Sequence, residues 1–303
     1  MKKLLLLAAF GLMASPAFAQ NTATQTVTGN GNNATSTQTG GADNDTWTIV
    51  DGNNNNSLIE QSGGDDNDAQ VDLEGNRNDA TITQIGSKND AFSEIKGIDV
   101  IGDRNHTEIY QEGDFNDAQL RVDGNNNGDL AGNALRIRQV SDAGIVQAEG
   151  NDAFITLRGD GNDGIVEQDG LGNETNLYLA QSSGAGQGFM GRTFMEADNT
   201  LITVKQIGDG ANLRAFVAGN GNEIDSYQEG ANTIGSNVAP LEEGINIYGN
   251  SNLAFMRQSG SGNEATVLIE GNSNDAFVFQ SGMNDDAMVD QMGNGNTSTI
   301  TQN

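Results

Sequence analysis

Cysteine is absent from this 303-residue chain, which excludes disulfides and thiolate metal sites. Proline is nearly absent too: of 2 in all, only Pro240 lies beyond the first 19 residues. Such a chain keeps its backbone N–H groups free to pair, as hydrogen-bonded strands require. Positive charge is scarce, with 14 Lys and Arg against 42 Asp and Glu and a net charge of −28. Nucleic acid and anionic lipid both need a basic patch, so neither is an expected partner. Aromatics make up 5 % of the chain and His106 is its sole histidine. High charge with few aromatics ordinarily signals disorder. A strict alternation of residue types, described below, overrides that reading.

Long apolar runs are missing after the start of the chain. Lys2 and Lys3 form a basic opening, Leu4 to Ala14 an apolar stretch, and Ala17-Phe18-Ala19 a small-residue cleavage pattern. This reads as a secretory signal peptide over residues 1–19, too short for a stable membrane span. Cleavage near Ala19 predicts a secreted, extracellular, cell-surface protein beginning at Gln20, with no membrane insertion. Without Lys2 and Lys3 the balance is 12 basic against 42 acidic residues, a net charge of −30.

What the chain does have is a repeat. A unit of 11 residues, Asn-x-Ala-x-aliphatic-x-(Gln or aliphatic)-x-Gly-x-x, returns in two alternating kinds. One kind carries Gln six residues after its start: Gln38, Gln61, Gln84, Gln111, Gln139, Gln168, Gln206, Gln228, Gln258, Gln280 and Gln302. The other carries an aliphatic there: Val27, Val50, Leu73, Ile95, Val122, Leu157, Leu179, Val217, Ile247 and Ile269. Gln291 alone breaks the alternation. Starts counted from Asn21 give 22 arms, or 11 coils, in one domain over residues 20–303. Longer gaps precede starts at 105, 133, 151, 200 and 241 and read as loops bulging from turns. The largest, about 182–199, contains Phe189, Met190, Phe194 and Met195.

Alternate residues of a strand face opposite ways, so Asn78, Ala80, Ile82 and Gln84 share one face and Asp79, Thr81 and Thr83 the other. The marker face is constant from arm to arm, as a common interior demands. The predicted fold is all-β, a two-sided parallel β-solenoid of strand-turn-strand coils. Its coils stack about 4.8 Å apart, its two sheets lie about 10 Å apart, and its length is about 50 Å. Inward amides need partners, because an unpaired buried amide is costly. Stacked in register, each donates to one copy and accepts from another. The candidate stacking amides are Gln61, Gln84, Gln111, Gln168, Gln206, Gln228, Gln258, Gln280, Gln302, Asn67, Asn78, Asn89, Asn263 and Asn274.

Asn78 to Ala91, reading Asn-Asp-Ala-Thr-Ile-Thr-Gln-Ile-Gly-Ser-Lys-Asn-Asp-Ala, resembles the curlin repeat of bacterial curli subunits. Asn252 to Ala265 is similar, with Ala254, Met256, Gln258, Gly260 and Asn263 in place. The resemblance extends over nearly all of the chain after residue 19. It implies a structural subunit of extracellular amyloid fibres, pilus-like, that supports adhesion and biofilm matrix. It further implies self-assembly, a second curlin-type subunit as partner and export through an outer-membrane pore. Curlin repeats commonly carry Gln in both arms, whereas alternate arms here hold Val, Leu or Ile.

The outward positions offer other chemistry. Asp68, Asp79, Asp90, Asp117, Asp152 and Asp275 each follow an arm-start Asn. Stacked neighbours would bring like charges within about 5 Å. One reading is a calcium ladder; the other, adopted here, is gatekeeper charge that keeps the chain soluble before assembly. Trp47, Phe92, Phe154, Phe255 and Phe277 are outward and read either as a sticky face or as ordinary exposed aromatics. No acid or histidine stands apart from the repeat, so no catalytic residue, cofactor or metal site is expected. Two rival readings are a non-polymerising repeat adhesin and a calcium-dependent β-roll. The uninterrupted arms from residue 274 on, with Gln280, Gln291 and Gln302 in succession, read as a docking end.

Overall fold

Every second residue in Asp79–Gly86 is buried: Ala80, Ile82 and Gln84 lie inside, and Asp79, Thr81 and Thr83 are half-exposed. The same alternation holds in Asp68–Asn76, Glu264–Glu270 and Asp275–Met283. It follows from the two-residue period of a pleated strand with one face covered. The structure, a computed structural model, describes residues 21–91, 97–128, 135–141, 150–179, 198–234 and 244–303.

The strands form two parallel sheets. The Gln arms make an 11-stranded sheet running from Asn33–Thr39 to Thr297–Gln302. The aliphatic arms make a 13-stranded sheet, in which two rungs consist of two short strands each. Register is strict. Gln61 pairs with Gln84, Gln84 with Gln111, Val50 with Leu73 and Val122 with Leu157. The interior between the sheets is a single cluster that includes Ile59, Leu73, Ile82, Ile109, Leu120 and Ile137. Burying each such side chain stabilises by about 1.5–3 kcal/mol. This is a two-sided parallel β-solenoid.

The turns stack as strictly as the strands. In Gly75-Asn76-Arg77-Asn78 the first and third residues are left-handed, with φ of 115° and 62°. The Arg77 N–H donates to Asn53 O of the preceding coil at 3.0 Å, and Gly102 N–H donates to Glu74 O at 3.0 Å. At Gly75 the first turn position requires glycine: a Cβ there would lie 1.9 Å from Gly102 O. The third position accepts side chains, as at Lys88, Arg104 and Phe115.

Three of the five longer gaps are not bulges from turns. Asp90–Ala91 and Gly97–Ile101 occupy one rung, with Asp90 beside Asp117 and Val100 beside Val122. Val100 therefore fills the position assigned to Ile95, which lies outside the described residues. Thr233–Ile234 and Ile245–Tyr248 likewise share a rung. Asn232 begins that arm, in place of the start assigned at 241, because its carbonyl accepts the Asn212 N–H at 2.9 Å. Asn127 likewise begins the arm assigned to 133, accepting the His106 N–H at 3.0 Å. The Asn column holds the turn in place, so extra residues enter one or two positions inside the strand. The gaps before 151 and 200 do fall between strands. Residues 1–20 (including the expected signal peptide), Phe92 and the aromatic and Met residues of 182–199 lie outside the described residues.

Candidate functional site

The interior carries three amide columns, one of glutamine that is continuous and two of asparagine. In the Gln column each Nε2 donates forward, toward the later coil. Gln61 donates to Gln84 at 2.9 Å, Gln84 to Gln111 at 2.9 Å and Gln111 to Gln139 at 3.0 Å. The chain continues through Gln168, Gln206, Gln228 and Gln258 to Gln280, which donates to Gln302 at 3.0 Å. It begins at Gln38, which donates to Gln61 at 3.0 Å. The same Nε2 also reaches backbone carbonyls across the interior, as Gln84 does to Asp68 O at 2.9 Å and Asn89 O at 3.0 Å. Every side-chain oxygen from Gln61 to Gln302 thus has a donor, which is what burial of an amide demands.

The arm-start asparagines form the other two columns, and the bonds from one side-chain amide to the next run backward. Asn67 Nδ2 donates to Asn44 Oδ1 at 2.9 Å, Asn89 to Asn67 at 3.2 Å and Asn116 to Asn89 at 3.1 Å. Each Asn also ties a turn to its neighbour: Asn78 Nδ2 donates to Gly102 O at 2.7 Å, and Asn78 Oδ1 accepts the Asn105 N–H at 3.0 Å. Asn263 and Asn274 hold the equivalent places, accepting the N–H groups of Asp285 at 3.1 Å and Asn296 at 2.9 Å. The columns tolerate gaps. Thr200 and Ala211 replace Asn, and there the backbone N–H alone continues the link, at 3.0 Å in each case.

Outside, the structure brings together four of the six singled-out carboxylates. Asp68, Asp90, Asp117 and Asp152 occupy successive rungs of the aliphatic sheet, continued by Asp45 before them and Glu174 after. Desolvation, then the charges of Asp90, Asp45 and Asp66, raise the Asp68 pKa from 3.8 to about 6. Lys88 lies in the same groove with its ammonium 4.8 Å from the Phe115 ring centroid. Asp79 and Asp275 lie on the other sheet without acidic rung partners. Asp79 sits between Asn56 and His106, and accepts from Asn56 Nδ2 at 2.9 Å; Asp275 sits between Leu253 and Thr297. Among the described residues no group of three or more His, Asp or Glu is placed to hold a metal ion.

The aromatics separate by sheet. Trp47 is exposed on the aliphatic sheet, and Phe154 lies half-exposed four rungs further on. Phe255 and Phe277 are in register on the Gln sheet with ring centroids 6.3 Å apart. Phe279, which sequence reasoning passed over, lies 5.6 Å from Phe255. Its signal was available: Phe279 is two residues after Phe277 and therefore on the same face. Arg257 stacks over Tyr227 at 5.2 Å on this face.

Fold and columns together define a class of molecule: a two-sided repeat solenoid whose ordered chemistry lies in self-matching columns. Residues 249–282 and 271–303 match a family model described as the curlin associated repeat. A search of curated proteins returns no match to the chain.

Proposed function

We propose that this chain is an exported structural subunit of curlin-like extracellular fibres, serving cell adhesion and biofilm matrix. The observation that carries the reading is the pair of sheet edges. Among the described residues no strand pairs with the outer edges of Thr22–Asn30 and Asn33–Thr39, nor with those of Asp286–Met292 and Thr297–Gln302. Such edges template further strands. A Gln column open at Gln38 and Gln302 extends from one molecule to the next by the bond it already makes ten times inside the chain. The partners on this reading are further copies, a second curlin-type subunit and an outer-membrane export pore. The in-register carboxylates keep the free chain soluble, since like charges on neighbouring rungs oppose close approach.

The purified chain is expected to form fibres that bind thioflavin, seed fresh protein and diffract at about 4.7–4.8 Å along the fibre axis. Removing residues 285–303 is expected to slow seeding strongly while leaving soluble monomer. A chain that stays monomeric under seeding favours the capped adhesin, and folding that requires calcium favours the β-roll.

A further inference from the structure

The last coil departs from the column rule at one position. In the 13-stranded sheet the residue six after each start is aliphatic, yet Asp286–Met292 carries Gln291 there, in register with Ile269. Gln291 nevertheless adopts the posture of the column glutamines. Its Nε2 donates to the Asp275 carbonyl at 2.9 Å, sixteen residues back, and to Ser298 Oγ at 3.0 Å. The side chain is 4 % exposed, and no described residue hydrogen-bonds to its Oε1. In the Gln column that oxygen accepts from the glutamine of the preceding coil; here Ile269 stands in that place. A buried acceptor without a donor weakens the coil that holds it.

The opposite side of this rung has the chemistry to use Gln291. Column amides donate forward as well as to carbonyls across the interior, and on the outer edge of this coil two of them, Gln291 in one sheet and Gln302 in the other, have only the cross-interior partners and no glutamine of a later coil. Charge lies on only one of the two edge strands: residues 293–303 contain no Asp, Glu, Lys or Arg, while Asp286–Met292 carries Asp286 and Asp290 at outward positions. A coil stacking here meets an inward amide in each sheet.

We propose that this edge selects a second polypeptide whose docking coil carries Gln at both inward positions, in preference to another copy of this chain. The inference rests on the stacking reading above. Another copy offers Gln38 opposite Gln302 but Val27 opposite Gln291. Gln291 would then lie between Ile269 and Val27, matched on neither side. A coil with two glutamines supplies an acceptor to each amide.

Val27→Gln converts the first coil of this chain to the two-glutamine kind. Val27 is 46 % exposed, so the monomer accommodates the change. Four full chains complete a cycle: the parent, Val27→Gln, Gln291→Leu and the double variant, each checked for its strand signal by circular dichroism. The measurement is the free monomer concentration in equilibrium with fibres. Val27→Gln is expected to lower it about fivefold in the parent, the worth of one added hydrogen bond. In the Gln291→Leu background the same change is expected to raise it. Equal effects in both backgrounds overturn the selection and leave stacking intact. No assembly by any of the four overturns the selection and the stacking reading together. If Gln291→Leu does not give the strand signal, Gln291→Ile, which copies Ile269 beneath it, takes its place in the cycle.

Discussion

Replacing Gln111 by Leu cuts the Gln column at its centre while nearly preserving side-chain size. Gln84 loses an acceptor at 2.9 Å but keeps the carbonyls of Asp68 and Asn89. Gln139 is affected more, because its Oε1 loses the Gln111 donor at 3.0 Å and the side chain is fully buried. An orphaned buried acceptor costs about 1–3 kcal/mol and each lost hydrogen bond about 0.5–1.5 kcal/mol. The apolar surface of Leu returns about 1 kcal/mol. The expected net loss is about 2–3 kcal/mol. The same change at Gln302 deprives Gln280 of an acceptor and the exposed Asp286 carbonyl of a donor at 2.8 Å, and Gln280 keeps the Glu264 carbonyl at 2.9 Å. There the expected loss is about 1 kcal/mol or less. Urea unfolding followed by circular dichroism compares the two. Repeat arrays can open in parts, so amide exchange of 80–86 and 135–140 localises the effect. Equal losses for the central and terminal substitutions would refute the claim that the column, and not the single bond, sets the cost.

Gly52→Ala is expected to cost about 3 kcal/mol or more, since its Cβ would lie 1.7 Å from Gly75 O at a φ of 126°. Gly295→Ala, with a φ of 69° and nothing within 4 Å, should cost only about 1 kcal/mol, and urea midpoints separate them. The raised pKa of Asp68 means that the folded chain holds this proton more tightly than the unfolded one. The group's contribution is therefore greatest below about pH 4 and is lost as pH rises through about 6, the value to which folding raises it. Asp68→Asn should raise the melting temperature at pH 7 and leave it nearly unchanged near pH 4. Added salt should speed fibre growth of the parent, and replacing Asp68 and Asp90 by Asn should do so more than replacing Asp79 and Asp275, which lack acidic rung partners; growth curves with thioflavin measure both.

Much of this architecture was legible because one face of every strand is constant. Ala80, Ile82 and Gln84 could be placed inside from their two-residue spacing, and stacking in register followed from their repetition. The insertions were misplaced because counting by 11 looks for the next start beyond an insertion. The structure keeps the earlier one, at Asn127 and Asn232, and resumes the strand later. Only the columns of stacked amides reveal this, since Asn127 Nδ2 bonds Asn105 Oδ1 at 3.0 Å across 22 residues. The division of the carboxylates was readable in principle. Asp79 and Asp275 follow Gln-arm starts, Asp68 and Asp90 aliphatic-arm starts. The opposed directions of the Asn and Gln amides were not, because both orientations satisfy a column and only packing against the turn carbonyls chooses between them.

The split rungs have a practical consequence. Where extra residues enter, Asp90–Ala91, Gly128 and Thr233–Ile234 stay docked on their neighbours, and Gly97, Leu135 and Ile245 rejoin at the expected pairings. Length added at these places does not propagate, because each later coil takes its alignment from the neighbouring columns and not from a count of residues. The strand bodies act as a rack, and the points after residues 91, 128 and 234 act as ports. A foreign peptide inserted there would be carried on the side of the molecule at a fixed height. Several ports would display several peptides at spacings set by the number of rungs between them.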